Sequence, residues 1–549
     1  MPVLQWIGKD KVINHHLDVP FHVLEKQYTF GGEKSQNKII HGDNLLALKS
    51  LLPEYEGRVK CIYIDPPYNT GNEGWVYNDN VNDPRIKKWL GEVVGKEGED
   101  LSRHDKWLCM MYPRLKLLQR LLSDDGAIFI SIDDHEQVFL RMLCDEIFGA
   151  ANFIANVACV NSPKGRDKSK NADMATAHEY IIIYRKSTKF KMHGFELDEK
   201  ITKRYNKIDK MGEKYRLIDL RKTGNSDERV DRPNLFYPFF YNEKTKDFFV
   251  GENSDATPNG YIRIVPMKTS EIEGRWCWEA DTSKSDIKKL IPQYQPNKKQ
   301  WSVFQIDKLS SRELVKPTTA WTFKDVNSER GTEMFQKYLG FAKSDFPNPK
   351  PVGTIERILK IATEDDSIIL DSFAGSGTTA HAVLNLNKAD GGNRKFILIE
   401  MMDYADGITA ERVRRVIKGY GEGNKAVAGT GGDFDFYELG EPLLQDGNIN
   451  EHVGTDKLRE YIYFTETHQP LEPDRQDESY YLGTHFDCAY YFCYEKEKRM
   501  VLDFDLLASA VKTKAGGYVI YADICALSDS QLQQYNITFK KIPRDITKI

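Results

Sequence analysis

The chain has 549 residues, of which 40% are hydrophobic and 29% are charged, and its formal net charge at pH 7 is −5. A chain of this length exceeds a single core, so we expect two to four domains of a globular protein. No apolar run approaches the ~20 residues that a membrane span requires, and no basic segment followed by an apolar one opens the chain, so we expect neither a membrane anchor nor a signal peptide. The eight Cys residues are scattered without a CxxC pair, which predicts reduced thiols, a cytoplasmic location and no metal site.

The charge is unevenly distributed along the chain. Residues 161–222 carry 17 Lys and Arg against 9 Asp and Glu, whereas residues 430–549 carry 12 against 21. A basic segment can supply contacts to phosphates while the rest of the protein stays acidic. A solvated surface would give the same bias, so the charge distribution alone does not assign a partner.

The first half of the chain alternates between strand and helix patterns, which predicts a parallel sheet with a hairpin at its edge. Asn44 is the expected cap of the first helix. Residues 72–105 are polar, which predicts a loop, and a second, basic loop is predicted at residues 163–171. The predicted elements are strand 38–43, helix 44–52, strand 59–64, helix 107–122, strand 127–132, helix 135–148 and strands 153–160 and 179–185.

The alternation fades at about residue 190 and resumes at 351 with helix 352–363, strand 367–371, helix 378–388 and strand 395–400. The interval mixes basic, aromatic and Gly/Pro-rich stretches, which indicates an inserted domain. From about residue 436 the composition changes to short aromatic runs that favour a small α+β domain. The predicted divisions are an N-terminal extension (1–37), a first α/β half (38–189), the insertion (190–320), a second α/β half (321–435) and the C-terminal domain (436–549).

The strand at 59–64 runs directly into Asp65-Pro66-Pro67-Tyr68. An amine conjugated to an aromatic ring is a poor nucleophile because its lone pair is delocalised, so a catalyst must accept hydrogen bonds from its N–H groups. The Asp65 carboxylate can accept one, and the Pro66 carbonyl, fixed by the rigid Pro-Pro backbone, can accept the other. Tyr68 offers an aromatic face to the ring. The alternative is a strand-to-turn segment without chemistry.

A glycine loop, Phe373-Ala374-Gly375-Ser376-Gly377, lies between a strand and the helix that opens at Thr378. Glycines permit a tight turn and close approach of a ligand to the backbone, and a helix N-terminus favours an anionic group. The next strand ends at Glu400, where the ribose hydroxyls of a nucleotide-like ligand lie in doubly wound folds. A purely structural turn and an exposed acid at a strand end remain alternatives.

Together, and in this order, the two motifs resemble those of the DNA amino-methyltransferases, which transfer a methyl group from S-adenosylmethionine to an amino group of a base. Asp371 to Thr378 resembles motif I, Glu400 resembles motif II, and Lys350-Pro351 resembles motif X, which closes over the cofactor methionine. Asp43 matches the acid near the cofactor adenine, with helix capping as its alternative role. The resemblance implies a cofactor site without metal that consists of Asp43, Lys350, Pro351, Asp371, Phe373, Gly375, Gly377, Thr378 and Glu400.

The same resemblance bears on the substrate. Asp at the first position of the Asp-Pro-Pro-Tyr motif implies adenine N6, since enzymes that act on cytosine N4 more often carry Ser there. The amine is buried in base pairing, so the base must leave the duplex before reaction. His178-Glu179-Tyr180 resembles motif VIII, which makes His178 a candidate for contact with the base, and Asn69 is a second candidate.

The catalytic motif precedes the glycine loop, which resembles the beta arrangement, a circular permutation of the Rossmann-like methyltransferase sheet. In that arrangement residues 190–320 are the target-recognition domain, and their basic, aromatic composition suits contact with the DNA backbone and bases. Individual base-reading residues cannot be assigned from the sequence.

More specifically, residues 38–190 and 345–405 resemble the modification subunits of type III restriction–modification systems. The likeness implies double-stranded DNA as substrate, a homodimer, and a separate ATP-dependent helicase–nuclease subunit, because the chain carries no GxxxxGK[ST] loop. A role in phage defence follows from such a complex. The alternatives are a solitary methyltransferase for adenine N6 or cytosine N4, and an RNA or protein methyltransferase with a similar Pro-Pro-Tyr motif.

Overall fold

The computed structural model describes residues 3–70, 100–165, 173–197, 202–269, 271–311, 314–472 and 480–544, with only the backbone described at 100–103. Most of the predicted loop at 72–105 and residues 166–171 of the basic loop therefore lie outside the described residues. The chain forms two compact units: residues 1–193 with 318–549, and residues 194–317.

The first unit is built on a mixed sheet of ten strands. In chain order they are β1 (His22–Phe30), β2 (Lys38–His41), β3 (Val59–Ile64), β4 (Leu122–Ile132), β5 (Phe153–Cys159), β6 (Glu179–Arg185), β7 (Ala320–Trp321), β8 (Ile368–Asp371), β9 (Lys395–Glu400) and β10 (Phe434–Pro442).

The sheet order is β1-β10-β2-β9-β8-β3-β4-β6-β5-β7. The six strands from β10 to β4 run parallel to one another, whereas β1 and β6 run antiparallel to their neighbours. The two α/β halves predicted from the sequence meet where β3 pairs with β8. The predicted α/β class is confirmed, and the half that carries Asp65 precedes the half that carries the glycine loop along the chain.

The central strands are continuous apolar runs because helices cover both faces of a parallel sheet. Residues 61–64 of β3 and 396–399 of β9 are all buried. The flanking helices of this unit are α1 (Asn44–Tyr55), α2 (Asp100–Leu121), α3 (Gln137–Cys144), α4 (Val352–Ala362), α5 (Thr378–Asp390) and α6 (Glu411–Lys418). Short helices lie at Lys9–Val12, His15–Asp18 and Ser328–Glu333.

Four local predictions are wrong. Asp43, not Asn44, caps α1: its carboxylate accepts from the backbone N–H of Leu45 at 2.7 Å. Helix α2 begins at residue 100, inside the segment predicted as a loop, because its first turns are polar and show no apolar spacing. Strand β4 begins at residue 122, five residues before its prediction. The β5–β6 hairpin is not the sheet edge, since β7 pairs with β5.

The predicted N-terminal extension contributes a strand to the sheet, because β1 pairs with β10 over most of its length. Strand β10 also crosses the division placed between residues 435 and 436. The middle of β1, Glu25 to Gln27, is exposed. No alternation of apolar and polar residues therefore identifies this strand from the sequence.

The C-terminal region mixes strands and helices. A four-stranded sheet contains Tyr481–His485, Cys488–Phe492, Gly517–Ala522 and Ile537–Lys541, and the helices are Thr455–Thr467, Phe504–Ala510 and Asp529–Gln534. The ring of Phe21, just before β1, contacts the rings of Tyr461 at 5.1 Å and Phe464 at 6.3 Å. These aromatic contacts attach the helix at 455–467 to the same compact unit as the large sheet.

The second unit, residues 194–317, has its own core. A four-stranded sheet contains Lys207–Ile208, Lys214–Asp219, Leu290–Gln295 and Gln300–Lys308; a three-stranded sheet contains Phe239–Tyr241, Phe248–Val250 and Ile262–Ile264. Phe195–Glu196 pairs with Leu314–Val315, and Ala280–Ser285 is helical. Trp276 is almost fully buried against Phe239, with ring centroids 5.3 Å apart. Within the described parts of the whole chain, no helix is long and apolar enough to cross a membrane.

Candidate active site

Four neighbouring parallel strands bring the predicted site residues to one edge of the sheet. Strand β2 leads to Asp43, β3 to Asp65, β8 to the glycine loop, and β9 ends at Glu400. The carboxyl ends of parallel strands form the edge at which open α/β sheets bind ligands. Residues that are about three hundred positions apart in the sequence are therefore neighbours here.

The loop that carries Asp65 is fixed from the protein interior. The indole Nε1 of Trp107, on α2, donates a hydrogen bond to the Pro67 carbonyl at 2.7 Å. Asn69 is fully buried in a left-handed conformation with φ 59°, and its amide donates to Glu136, which is also fully buried. Asn69 thus anchors the loop to the protein interior through Glu136.

Asp65 shares one cation with a second acid. The Lys350 ammonium lies 3.2 Å from Oδ1 of Asp65 and 2.9 Å from Oε1 of Glu179, the first residue of β6. The Tyr68 hydroxyl donates to Oε2 of Glu179 at 3.1 Å, and Lys350 also donates to that hydroxyl. The three charged side chains are 26% (Asp65), 16% (Lys350) and 15% (Glu179) exposed, so Asp65 is the most open of them.

Burial and charge act in opposite directions on these groups. Burial raises the pKa of Asp65; the Lys350 charge offsets part of this effect, and Glu179 adds to it. Burial also acts to raise the pKa of Glu179, but the Lys350 charge and the hydrogen bonds to Glu179 lower this pKa by a larger amount. The net shift of the Glu179 pKa is therefore downward. Burial lowers the pKa of Lys350, and the two carboxylates more than compensate, so the group stays charged.

The glycine loop is shaped by the two strands that flank it. Gly375 and Gly377 both have positive φ, 52° and 78°. The Gly375 N–H donates to Oε2 of Glu400 at 2.8 Å, and Oε1 of Glu400 accepts from the Met402 N–H at 3.0 Å. Thr409 closes the loop from outside, since its hydroxyl donates to the Gly375 carbonyl at 2.6 Å.

Asp371, at the end of β8, stabilises the loop from below. Its Oδ1 accepts from the Phe373 N–H at 3.0 Å, and its Oδ2 accepts from the Thr379 hydroxyl. Burial raises the pKa of Asp371 to about 7, although both hydrogen bonds act to lower it. An acid whose pKa is raised by burial therefore lies next to the glycine loop.

A cavity of about 450 Å³ joins the two motifs. Pockets for small molecules and cofactors usually occupy 300–1,000 Å³. The lining residues are Tyr63, Asp65, Pro67, Asp345, Phe346, Pro347, Asn348, Lys350, Asp371, Phe373, Ala374, Gly375, Ser376, Thr378, Thr379, Glu400, Met402 and Tyr404.

The cavity brings together eight of the predicted site residues: Asp65, Pro67, Lys350, Asp371, Phe373, Gly375, Thr378 and Glu400. The other seven, which do not line it, are Asp43, Pro66, Tyr68, Asn69, His178, Pro351 and Gly377. Asp43 caps α1, and Gly377 and Pro351 are the N-cap residues of α5 and α4. The His178 ring packs edge-on against Tyr180 at 5.0 Å, while its neighbour Glu179 reaches Lys350.

Several residues of the site were not anticipated from the sequence, among them Glu179, Phe346 and Tyr404. Glu179 lay beside the predicted His178, but a lone acid at a strand start carries no signal. Phe346 and Tyr404 form an aromatic wall, with ring centroids 5.6 Å apart. Aromatic residues in loops have no periodicity, so only their position in space identifies them. Among the described residues, no group of three or more His, Cys, Asp or Glu could hold a metal ion.

Comparisons with known proteins identify the family of the chain. A family model described as DNA methylase matches residues 59–411. The type II methyltransferase M.KpnI of Klebsiella pneumoniae is 36% identical over 369 residues, which cover 67% of this chain and 81% of that protein.

Two type III restriction–modification Mod subunits are also similar. The EcoPI Mod subunit of Escherichia phage P1 is 35% identical over 413 residues, 72% of this chain and 63% of that protein. The EcoP15I Mod subunit of Escherichia coli is 30% identical over 429 residues, 72% of this chain and 64% of that protein. The chain thus spans slightly less than two thirds of the length of these two relatives.

Among solved structures, the M1.HpyAVI–SAM complex is 13% identical, with 68% of this chain and 98% of that chain covered and a TM-score of 0.30. A TM-score this low supports no inference about the present chain.

Proposed function

This chain belongs to the DNA methylase family, and from that premise we propose that it transfers a methyl group from S-adenosylmethionine to N6 of an adenine flipped out of duplex DNA. The observation that carries the proposal is the shared cavity. Asp65 of the catalytic loop and Gly375 of the glycine loop line the same 450 Å³ space. A reaction between a cofactor on one loop and an amine on the other requires this proximity.

The cavity suits S-adenosylmethionine in both shape and chemistry. A Cβ on Gly375 would come within 3.1 Å of the Phe346 ring, so glycine keeps this part of the cavity open. Glu400 supplies a carboxylate for ribose hydroxyls, and the start of α5 at Thr378 favours an anion such as a carboxylate. When bound, S-adenosylmethionine supplies the methyl group as an activated sulfonium.

Asp65 is the residue that prepares the amine for reaction. Its Oδ1 is buried, lies 3.2 Å from the Lys350 ammonium and accepts no well-aligned hydrogen bond from the described part of the chain. It can therefore accept an N–H of the target amine, while the Pro66 carbonyl takes the second. Two such bonds favour a tetrahedral nitrogen whose lone pair is available. Trp107 and Asn69 hold the loop rigid, which preserves this alignment.

The larger assembly is proposed on the similarity to Mod subunits. We propose that the chain is the modification and specificity subunit of a type III-like system, that it forms a homodimer, and that a separate ATP-dependent helicase–nuclease subunit docks on it. The unit at 194–317 would read the DNA sequence. Exchanging this unit with that of a relative should change the methylated motif, and an unchanged motif in a folded, active chimaera would refute that role.

The proposed dimer is tested by light scattering of the full chain. A protein that is monomeric and fully active would exclude the dimer.

A second candidate is a methyltransferase that works without a nuclease partner. The identity to M.KpnI, a type II methyltransferase of which the chain covers 81%, favours it. The two candidates share the same chemistry and differ only in assembly. Co-purification of the chain with the product of a neighbouring helicase gene would favour the first, and full protection of host DNA without such a gene would favour the second.

The proposed chemistry is tested with purified protein, duplex DNA of mixed sequence and methyl-labelled S-adenosylmethionine. Label should enter DNA as N6-methyladenine, and the Asp65→Ala variant should leave the DNA unlabelled. The exposed Asp366→Ala variant is the matched control, because it removes a carboxylate that lies outside the cavity. Label that appears in cytosine instead would replace adenine as the proposed target, and an absence of label from DNA would exclude DNA as the substrate under these conditions.

A further inference from the structure

The Lys350 ammonium lies beside Asp65 and Tyr68, the two side chains that the proposed chemistry assigns to the target base. It contacts Oδ1 of Asp65, the oxygen that the proposed chemistry assigns to the incoming N–H. The same ammonium contacts Glu179 at the shorter distance of 2.9 Å and the Tyr68 hydroxyl. It also lies 4.9 Å from the centroid of the Tyr68 ring, the face assigned to the base. An amine and this ammonium would compete for one carboxylate oxygen.

The main chain of Lys350 belongs to the other half of the site. Residues 345–348 and Lys350 form one wall of the cavity beside the glycine loop. The Lys350 carbonyl accepts a hydrogen bond of 3.4 Å from the Thr378 hydroxyl at the start of α5. A single residue thus joins the proposed cofactor wall, through its backbone, to the catalytic carboxylate, through its side chain.

We propose that Lys350 and Glu179 act as a positioning pair, in which the ammonium covers Asp65 while the base is absent and is held by Glu179 when the target amine displaces it. The inference rests on the proposed methyl transfer, and it assigns to Glu179 and to the Lys350 side chain roles in that reaction. Neither residue touches the transferred methyl group. The pair instead determines whether Asp65 is charged and whether its oxygen is accessible.

The geometry gives the ammonium a second partner within reach. Because it already bridges both carboxylates, it can leave Asp65 without losing its countercharge. Without Glu179, removing the ammonium from Asp65 would leave a mostly buried cation unpaired, which is costly. Without Lys350, two carboxylates would share a buried site, and like charges in one site oppose each other's ionisation. Each partner therefore has a distinct and opposite effect on Asp65.

Other groups also face Asp65 and act on its ionisation. Besides Lys350 and Glu179, they are Tyr63 and Tyr68, whose hydroxyls are neutral, and Asp371 at the end of β8. Lys350 is the only cation among these neighbours in the described part of the chain. Its removal should therefore leave Asp65 among acids and phenols alone.

The test is the pH dependence of methyl transfer with saturating S-adenosylmethionine and subsaturating DNA, a condition that reports the pKa values of the enzyme before the base binds. Asp65 must be an anion, so the rate falls as the pH drops through its pKa. In Lys350→Met this acidic limb should move upward by about 1 to 3 pH units, the effect of losing an opposite charge in close contact. Adding Glu179→Gln to Lys350→Met should move the limb back down, since it removes a like charge.

The single variant Glu179→Gln separates positioning from folding. Its ammonium can pair only with Asp65, so the methylation rate should fall by roughly tenfold or more, as expected for a lost charged hydrogen bond, without an upward shift of the limb. Binding of S-adenosylmethionine by calorimetry and the melting temperature should stay close to wild type. Lys350→Arg, which keeps the charge, should keep the wild-type limb, and Asp366→Asn is the exposed control.

The outcomes distinguish this inference from the function on which it rests. If wild-type protein methylates no DNA, the proposed function is wrong. If wild type is active but Lys350→Met and the double variant keep its acidic limb, the positioning pair is wrong and the function stands. If Lys350→Met does not fold, the Glu179→Gln variant alone decides the question. An upward shift of its acidic limb, or a methylation rate equal to that of wild type, would refute the proposed role of Lys350 and Glu179.

Discussion

The two loops that line the cavity are held in opposite ways. The catalytic loop at residues 65–68 presents a side chain, Asp65, whose charge is maintained by an ion pair with Lys350. The glycine loop at 373–377 presents its backbone, and its conformation depends on two positive φ angles and on Glu400. A substitution on the first loop should therefore remove chemistry and keep cofactor binding, whereas one on the second should remove cofactor binding.

Asp65→Ala should give the largest effect. It removes an acceptor that acts on the amine as nucleophilicity develops, so the rate should fall on the order of 100-fold or more. Affinity for S-adenosylmethionine, measured by calorimetry, should be retained because the glycine loop is untouched. A variant with near-wild-type methylation would remove Asp65 from the mechanism and with it the assigned difference between the loops.

Gly375→Val tests the backbone loop. A β-branched residue at φ 52° is strained by about 1–3 kcal/mol, and its Cβ would meet the Phe346 ring at 3.1 Å. S-adenosylmethionine affinity should fall more than tenfold. Gly391→Val is the matched control: it has φ 77° at the end of α5, with open space around the position of its Cβ. We expect the two variants to lose similar amounts of melting temperature, whereas only Gly375→Val should lose S-adenosylmethionine affinity. Equal affinities in the two variants would argue against a cofactor at this loop.

Glu400→Gln should have a smaller effect. Both carboxylate oxygens accept backbone N–H bonds, from Gly375 and Met402, and a carboxamide cannot accept both. Losing one hydrogen bond to a charged group costs about 1.5–3 kcal/mol, so S-adenosylmethionine affinity should fall roughly tenfold or somewhat more. Calorimetry that finds an unchanged dissociation constant would show that Glu400 does not shape the loop for its ligand.

Asp371→Asn should give the smallest effect, a change in how the stability of the protein depends on pH. Its pKa is about 7 in the folded protein and near 3.8 when unfolded. The unfolded state therefore binds fewer protons between these values, and this group lowers stability as the pH rises from about 4 to 7. The melting temperature of Asp371→Asn should decline less over this range than that of wild type. Parallel curves would mean that Asp371 ionises normally.

The sequence was informative where the chain repeats a physical pattern. The strands at 59–64, 368–371 and 395–400 are continuous apolar runs followed by glycine or acidic residues, so both their positions and their functional ends could be predicted. Strand β1 escaped prediction because its middle residues are charged or polar and exposed, and its pairing with β10 is set by a segment four hundred residues away.

The site was predictable only to the extent that its residues lie in motifs. Asp65 and Gly375 stand in local patterns that require a particular chemistry. The contact of Lys350 with Asp65 and Glu179 joins three distant segments, and no local pattern encodes it. Asn69 shows the converse: it adjoins the motif, yet it faces the interior and binds Glu136. Adjacency in sequence therefore does not identify which side of a loop a residue occupies.

The central claim is that one cavity transfers a methyl group to adenine in DNA. Modification-sensitive sequencing of DNA from cells that express the chain tests this most directly, with Asp65→Ala cells as the matched control. We expect N6-methyladenine at one sequence motif with wild type and none with the variant. Absence of N6-methyladenine with folded wild-type protein, or its persistence with Asp65→Ala, would show that this cavity does not methylate adenine in DNA.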